Sequence, residues 1–158
     1  MTVLDQLFDR EHVLCKIPAG SRKRVLQELS QTLATEDVNE DAMFDALMER
    51  ERLGSTGLGK GVAIPHCRMA CDGMRVALAS TERPVDYEAS DGELVDLFFA
   101  LIVPVNENHA HLEALAVLSS VFQESANRDR LRACDSAEGL HEAMQALLRI
   151  AAADSSTA

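Results

Sequence analysis

The chain has no tryptophan and a single tyrosine among its 158 residues. An aromatic platform on which single-stranded bases could stack is therefore not expected. Basic side chains are scarce as well, with 15 Lys and Arg against 26 Asp and Glu and a formal net charge of −11. That excess repels a nucleic-acid backbone or an anionic membrane and suits a partner with a basic face. No apolar run reaches the roughly 18 uninterrupted residues of a membrane span. Residues 1–8 carry Asp5 and lack a basic n-region, so no signal peptide is evident. The cysteines, Cys15, Cys67, Cys71 and Cys134, form no C-x-x-C pair, and reduced thiols are the default expectation. These absences point to a cytoplasmic protein with a basic-faced partner.

What is present fits one domain with a full core, since 47% of the residues are hydrophobic. The domain is expected over 1–150, with 151–158 as a small, polar, flexible tail. Short apolar runs predict strands over 13–17, 62–64, 76–79 and 94–103, the last too continuous for a strand with one wet face. Helical spacing predicts helices over 21–36, 39–50, 109–123, 128–133 and 136–150. Ser21 and Asn39 are expected N-caps, and Asp135 with Glu138 has capping-box spacing before the last helix. Helices before, between and after the strands imply an α/β sandwich, a sheet covered on both faces. His66 is expected to end one strand and His111 to lie in the first turn of a helix, both at the loop edge of the sheet.

The richest segment is Gly54-Ser55-Thr56-Gly57-Leu58-Gly59-Lys60-Gly61-Val62-Ala63-Ile64-Pro65-His66, which packs four of the eight glycines into eight positions. Absent Cβ atoms let backbone amides approach an anion closely. Pro65 restricts the backbone that aims the imidazole of His66. A neutral imidazole is a nucleophile, and Arg50, Arg52 and Arg68 nearby bring guanidinium forks that match phosphoryl oxygens. Loop, nucleophile and cations together suggest a phosphohistidine. The spacing Gly54 to Lys60 imitates a Walker A loop, but Gly61 stands where Ser or Thr would bind Mg²⁺, and a helix leads in where a strand should. Nucleotide binding is not expected.

From Arg50 to Arg68 the chain resembles the phosphorylation-site motif of the phosphotransferase-system IIA proteins of the fructose, mannitol and nitrogen-regulatory type. Two further stretches, residues 95–104 and His111-Leu112-Glu113-Ala114-Leu115, carry the same resemblance. It implies the α/β sandwich of that family and phosphorylation of His66, through Nε2, by an HPr-like phosphocarrier protein. It also implies that His111, rather than His109, is the second active-site histidine, stabilising the phosphoryl group. Arg50 matches a basic residue ahead of the family loop, so Arg50, Ser55, Thr56 and Gly57 are candidate phosphate-binding residues. No small-molecule cofactor is required.

Within the family the nitrogen-regulatory branch is the better match, because the chain holds neither a fused membrane component nor an HPr-like domain. That branch implies regulatory output to a transporter or sensor kinase. The alternative is a sugar-specific IIA that passes phosphate to a IIB component. Two other readings remain: a metal site built from His66, Cys67, Cys71, His109 and His111, or an inert interaction module. The sequence departs from the motif at Cys67, where glycine is usual, and at Arg68, where lysine is common. Cys67 is expected to crowd the docking surface, and its thiol, close to cations, to be partly ionised and oxidisable.

Overall fold

The computed structural model describes residues 4–107 and 109–157, so Asn108, beside the expected second histidine, Ala158 of the expected tail and residues 1–3 of the expected leaderless start lie outside the description. Its strands are β1 (Val13–Ile17), β2 (Gly57–Gly59), β3 (Val62–Ala63), β4 (His66–Met69), β5 (Arg75–Val85) and β6 (Val95–Pro104). Its helices are α1 (Leu4–Leu7), α2 (Arg22–Leu33), α3 (Glu40–Leu53), α4 (Ala110–Gln123), α5 (Ser125–Arg132) and α6 (Ala137–Thr157). The sheet runs β1-β5-β6-β3-β2, with β4 continuing along β6 beyond β3. It is mixed: β1 is parallel to β5, β3 and β4 are parallel to β6, and β5/β6 and β2/β3 are antiparallel.

Alternation along the two long strands builds two cores. Val76 and Leu78 of β5 with Leu97, Phe99, Leu101 and Val103 of β6 face α4, α5 and α6. Ala77, Ala79, Phe98, Ala100 and Ile102 face the opposite way, toward Leu26, Leu29 and Leu33 of α2 and Met43 and Leu47 of α3. A central strand with no wet face must be apolar at every position, which is why β6 reads as a continuous run. The sandwich with helices on both faces is therefore the observed architecture.

The caps at Ser21 and Asn39 form as their residue types require. Ser21 Oγ accepts from Arg24 N–H at 3.1 Å and Asn39 Oδ1 from Ala42 N–H at 3.0 Å. Ahead of α6 the sequence expectation is off by one residue. Ser136 is the cap, accepting from Gly139 N–H at 3.0 Å, while Asp135 and Glu138 turn outward to pair with Lys16 and Arg10. The helix also runs past Ile150 to Thr157, since Ala151-Ala152-Ala153 are strong helix formers and nothing breaks the ladder. Helix α5 begins at Ser125, earlier than expected, because Asn127 and Arg128 bond the carbonyls that end α4. Replacing Asn39 by Ala should lower stability by about 1 kcal/mol, read as a lower urea midpoint with an unchanged slope.

Candidate active site

The strand that carries His66 is broken in the middle. Pro65 has no N–H, so pairing along β6 lapses after Ala63 and resumes at His66, which opens β4 rather than ending a strand. Gly61 O and Pro65 O still accept from Leu97 N–H and Leu101 N–H, at 3.2 and 2.9 Å. At the break the imidazole folds back on its own backbone, with Nδ1 2.7 Å from the Ile64 carbonyl. A carbonyl only accepts, so Nδ1 carries the proton and Nε2 of the neutral ring keeps its lone pair. His66 is half-buried.

Past the break, Cys67 joins the core on the α2/α3 side, so its neighbours His66 and Arg68 face the α4 side. There His111, in the first turn of α4, meets Arg68. Arg68 Nη1 donates to Glu107 O at 2.8 Å, and Nη2 lies 3.4 Å from His111 Nδ1 and 3.2 Å from Nε2. A nitrogen nearly equidistant from both ring nitrogens sits out of the imidazole plane, because in-plane approach would press it into the carbon between them. The contact is therefore a guanidinium over a ring, which leaves the ring nitrogens free for a ligand. Burial, then Arg68, then His66 hold the His111 pKa below the ordinary histidine value, with Glu107 opposing and His109 adding slightly. The sequence expectation thus holds for the place of His111. It offered Arg68 only as one of three nearby cations, without its contact with His111.

The four candidate phosphate residues have partners elsewhere. Arg50 Nη1 donates to Gly54 O at 2.7 Å, closing the end of α3. Ser55 Oγ accepts from Gly57 N–H at 3.1 Å and donates to Tyr87 O at 3.2 Å. Thr56 is buried, and its N–H lies 3.1 and 3.2 Å from the two carboxylate oxygens of Glu51. Its hydroxyl also donates to Glu51, and Tyr87 Oη reaches the same carboxylate at 2.9 Å. Gly57 is needed for packing, since a Cβ there would stand 2.8 Å from Ala89 Cβ. Buried Glu51 is a residue the sequence reading passed over. Its signal was its place as the third member of the stripe Met43, Leu47, Glu51 on α3.

The stretch that imitates a Walker A loop is a β-hairpin. Lys60 and Gly61 turn it with φ of 60° and 82°, the pair of positive values that a tight hairpin needs. Asp91 accepts from Lys60 N–H at 3.0 Å, and Arg132, paired with Asp96, donates to Lys60 O at 2.7 Å. The hairpin tip is therefore tied down from both sides.

The expectation for Cys67 is corrected. Its side chain is 7% exposed, and burial, with Cys71 adding to it, pushes the thiol up to about 12. It neither crowds the surface at His66 nor ionises near neutral pH. Among the described residues no group of three or more His, Cys, Asp and Glu is gathered as a metal would need. The metal reading also loses Cys67, which lies across the strand from His66.

Residues 6–146 match the family described as the phosphoenolpyruvate-dependent sugar phosphotransferase system, EIIA 2. The chain belongs to this family. It is similar to the nitrogen regulatory protein of Pseudomonas aeruginosa, with 41% identity over 145 residues that cover 90% of this chain and 94% of the relative. The crystal structure of the nitrogen regulatory protein IIA-Ntr from Neisseria meningitidis superposes with a TM-score of 0.86 at 36% identity, covering 93% of this chain and 99% of that one. The fructose-specific EIIABC component of Bacillus subtilis is 29% identical over 140 residues, which are 87% of this chain but 22% of that protein. This EIIA 2 chain is thus of the IIA-Ntr kind, a nitrogen-regulatory phosphotransferase-system protein. No described helix is long and apolar enough to cross a membrane.

Two measurements check this account of the site. The folded Cys67 thiol stays protonated toward pH 12 while the unfolded one ionises from its ordinary value of 9.0, so stability falls as pH rises through that window. Cys67→Ala should remove up to about 1.4 kcal/mol per pH unit from the decline, seen in denaturant midpoints between pH 8 and 11. Arg68→Gln takes away one cause that lowers His111, so the imidazole midpoint followed by NMR should rise.

Proposed function

We propose that this protein is a regulatory phosphocarrier that accepts a phosphoryl group on His66 Nε2 from an HPr-like phosphocarrier protein. Its output is a choice of protein partner according to phosphorylation state. The observation that carries the reading is the bond from His66 Nδ1–H to the Ile64 carbonyl, which fixes the tautomer whose lone pair is on Nε2. In the transfer, Nε2 forms its bond to phosphorus as the donor's bond to phosphorus breaks, and Nδ1 keeps its proton throughout. The step asks for in-line positioning and charge stabilisation more than for covalent help.

His111 and Arg68 supply that stabilisation, the imidazole through its free ring nitrogens and the guanidinium through its charge. Arg50, half-buried at the end of α3, contributes by exchanging Gly54 O for a phosphoryl oxygen. Ser55, Thr56 and Gly57 serve by building the loop that carries His66. No cofactor enters the step, and the protein works in the cytoplasm, where its donor is made. Kinship with nitrogen regulatory proteins over nearly the whole chain supports a regulatory output toward a transporter or sensor kinase. The 29% identity with a fructose-specific component supports a second reading, a sugar-type IIA that hands phosphate to a IIB domain.

Incubation with phosphoenolpyruvate, enzyme I and an HPr-like carrier should add one phosphoryl mass to the wild type. The gain should be acid-labile and absent from His66→Ala. No gain with several carriers would overturn the reading, and release of labelled phosphate to an empty IIB domain would favour the sugar-type alternative.

A further inference from the structure

The hairpin that leads into His66 lacks one hydrogen bond that its register calls for. Gly57 stands opposite Ala63, which puts Thr56 opposite Ile64. Ile64 N–H donates to Thr56 O at 3.1 Å. In an antiparallel ladder such a pair exchanges two bonds, and the return bond here would run from Thr56 N–H to Ile64 O. Instead the Thr56 amide turns to both carboxylate oxygens of Glu51, and Ile64 O receives the imidazole of His66.

We propose that Glu51 is a positioning residue for His66: by drawing the Thr56 amide out of the hairpin ladder, its buried carboxylate reserves the Ile64 carbonyl for the imidazole Nδ1–H. Glu51 is 3% exposed and occupies the next helical turn after Met43 and Leu47, a place where leucine would extend the apolar stripe. Sinking a carboxylate there costs desolvation, offset by three donors: the Thr56 amide, the Thr56 hydroxyl and Tyr87 Oη. Only the first of these donors belongs to the ladder. With Glu51 gone, the Thr56 amide returns to Ile64 O, and His66 relaxes toward the Nε2-protonated tautomer that free imidazole side chains prefer. That tautomer has no lone pair on Nε2. The consequence for catalysis rests on the phosphocarrier reading, whereas the tautomer itself does not.

The test reads His66 ring nitrogens by ¹⁵N NMR in the full chain and, in parallel, the initial rate of phosphorylation. Wild type, Thr56→Val, Tyr87→Phe and Glu51→Gln should all keep the proton on Nδ1, since each retains an oxygen for the Thr56 amide. Glu51→Leu should shift the ring toward Nε2 protonation and slow phosphorylation by about tenfold. Glu51→Asp, which keeps the charge but shortens the reach by one methylene, carries the same expectation and decides the matter if Glu51→Leu does not fold. A wild-type tautomer in folded Glu51→Asp or Glu51→Leu would overturn the proposal, because Ile64 O would then be serving both donors. An equal shift in Thr56→Val or Tyr87→Phe would overturn it too, by making the cluster a packing unit. If even the wild type takes no phosphate, the phosphocarrier reading fails while the tautomers still decide the role of Glu51.

Discussion

The site depends on a strand that is broken and yet held on both sides of the break. Leu97 and Leu101 of β6 grip Gly61 O and Pro65 O, so the chain cannot drift although Pro65 offers no donor of its own. Ile64 O is left facing the loop, its ladder partner Thr56 N–H turned to Glu51, and a residue two positions later in the chain folds back to meet it. His66 fills that place. The alternation of faces runs unbroken through the break, with Val62 and Ile64 on the α4 side and Ala63 and Cys67 on the α2/α3 side, so His66 and Cys67 take opposite faces.

Because β4 and β6 are parallel, the strand that carries His66 and the strand that leads into α4 end on the same side of the sheet. Ligand sites in α/β sheets collect at such carboxyl ends, where helix N-termini also point. His111 arrives there on the first turn of α4, and Arg68 bridges the two elements through Glu107 O. In a chain with a net charge of −11, this edge presents the Arg68 guanidinium against the imidazole of His111. On the phosphocarrier reading this is where up to about two negative charges arrive. Local positive charge lowers the cost of that addition, and the surplus of acid elsewhere keeps other anions away.

Much of the fold was legible because its elements follow strong local signals. β1 matches its apolar run residue for residue, β6 differs by one residue at each end, and Ser21 and Asn39 cap the helices they were expected to cap. What was not legible depends on partners distant in sequence. The strand β4 exists only through pairing with β6, and its residues His66-Cys67-Arg68-Met69 carry no apolar run. Cys67 looked reactive beside arginines, but strand alternation sends it into the core while Arg68 goes the other way. The shift from Asp135 to Ser136 as the cap reflects a competing ion pair with Lys16, 119 residues away. Ser55 and Thr56, candidate phosphate-binding residues by resemblance to the family loop, are engaged by Tyr87 and Glu51, partners the motif does not display.

The glycine loop therefore differs from the anion cradle it resembles. In a cradle, amides point at a ligand; here the amides of Thr56, Gly57 and Lys60 point at Glu51, Ser55 and Asp91. The glycines are kept for geometry instead: a near contact with Ala89 at Gly57 and a positive φ at the hairpin turn at Gly61. On the phosphocarrier reading these three satisfied amides do not have to reorganise when charge arrives at His66. On that reading the loop contributes by staying fixed, while the groups that respond are Nε2 of His66, the ring of His111 and the guanidinium that lies over it.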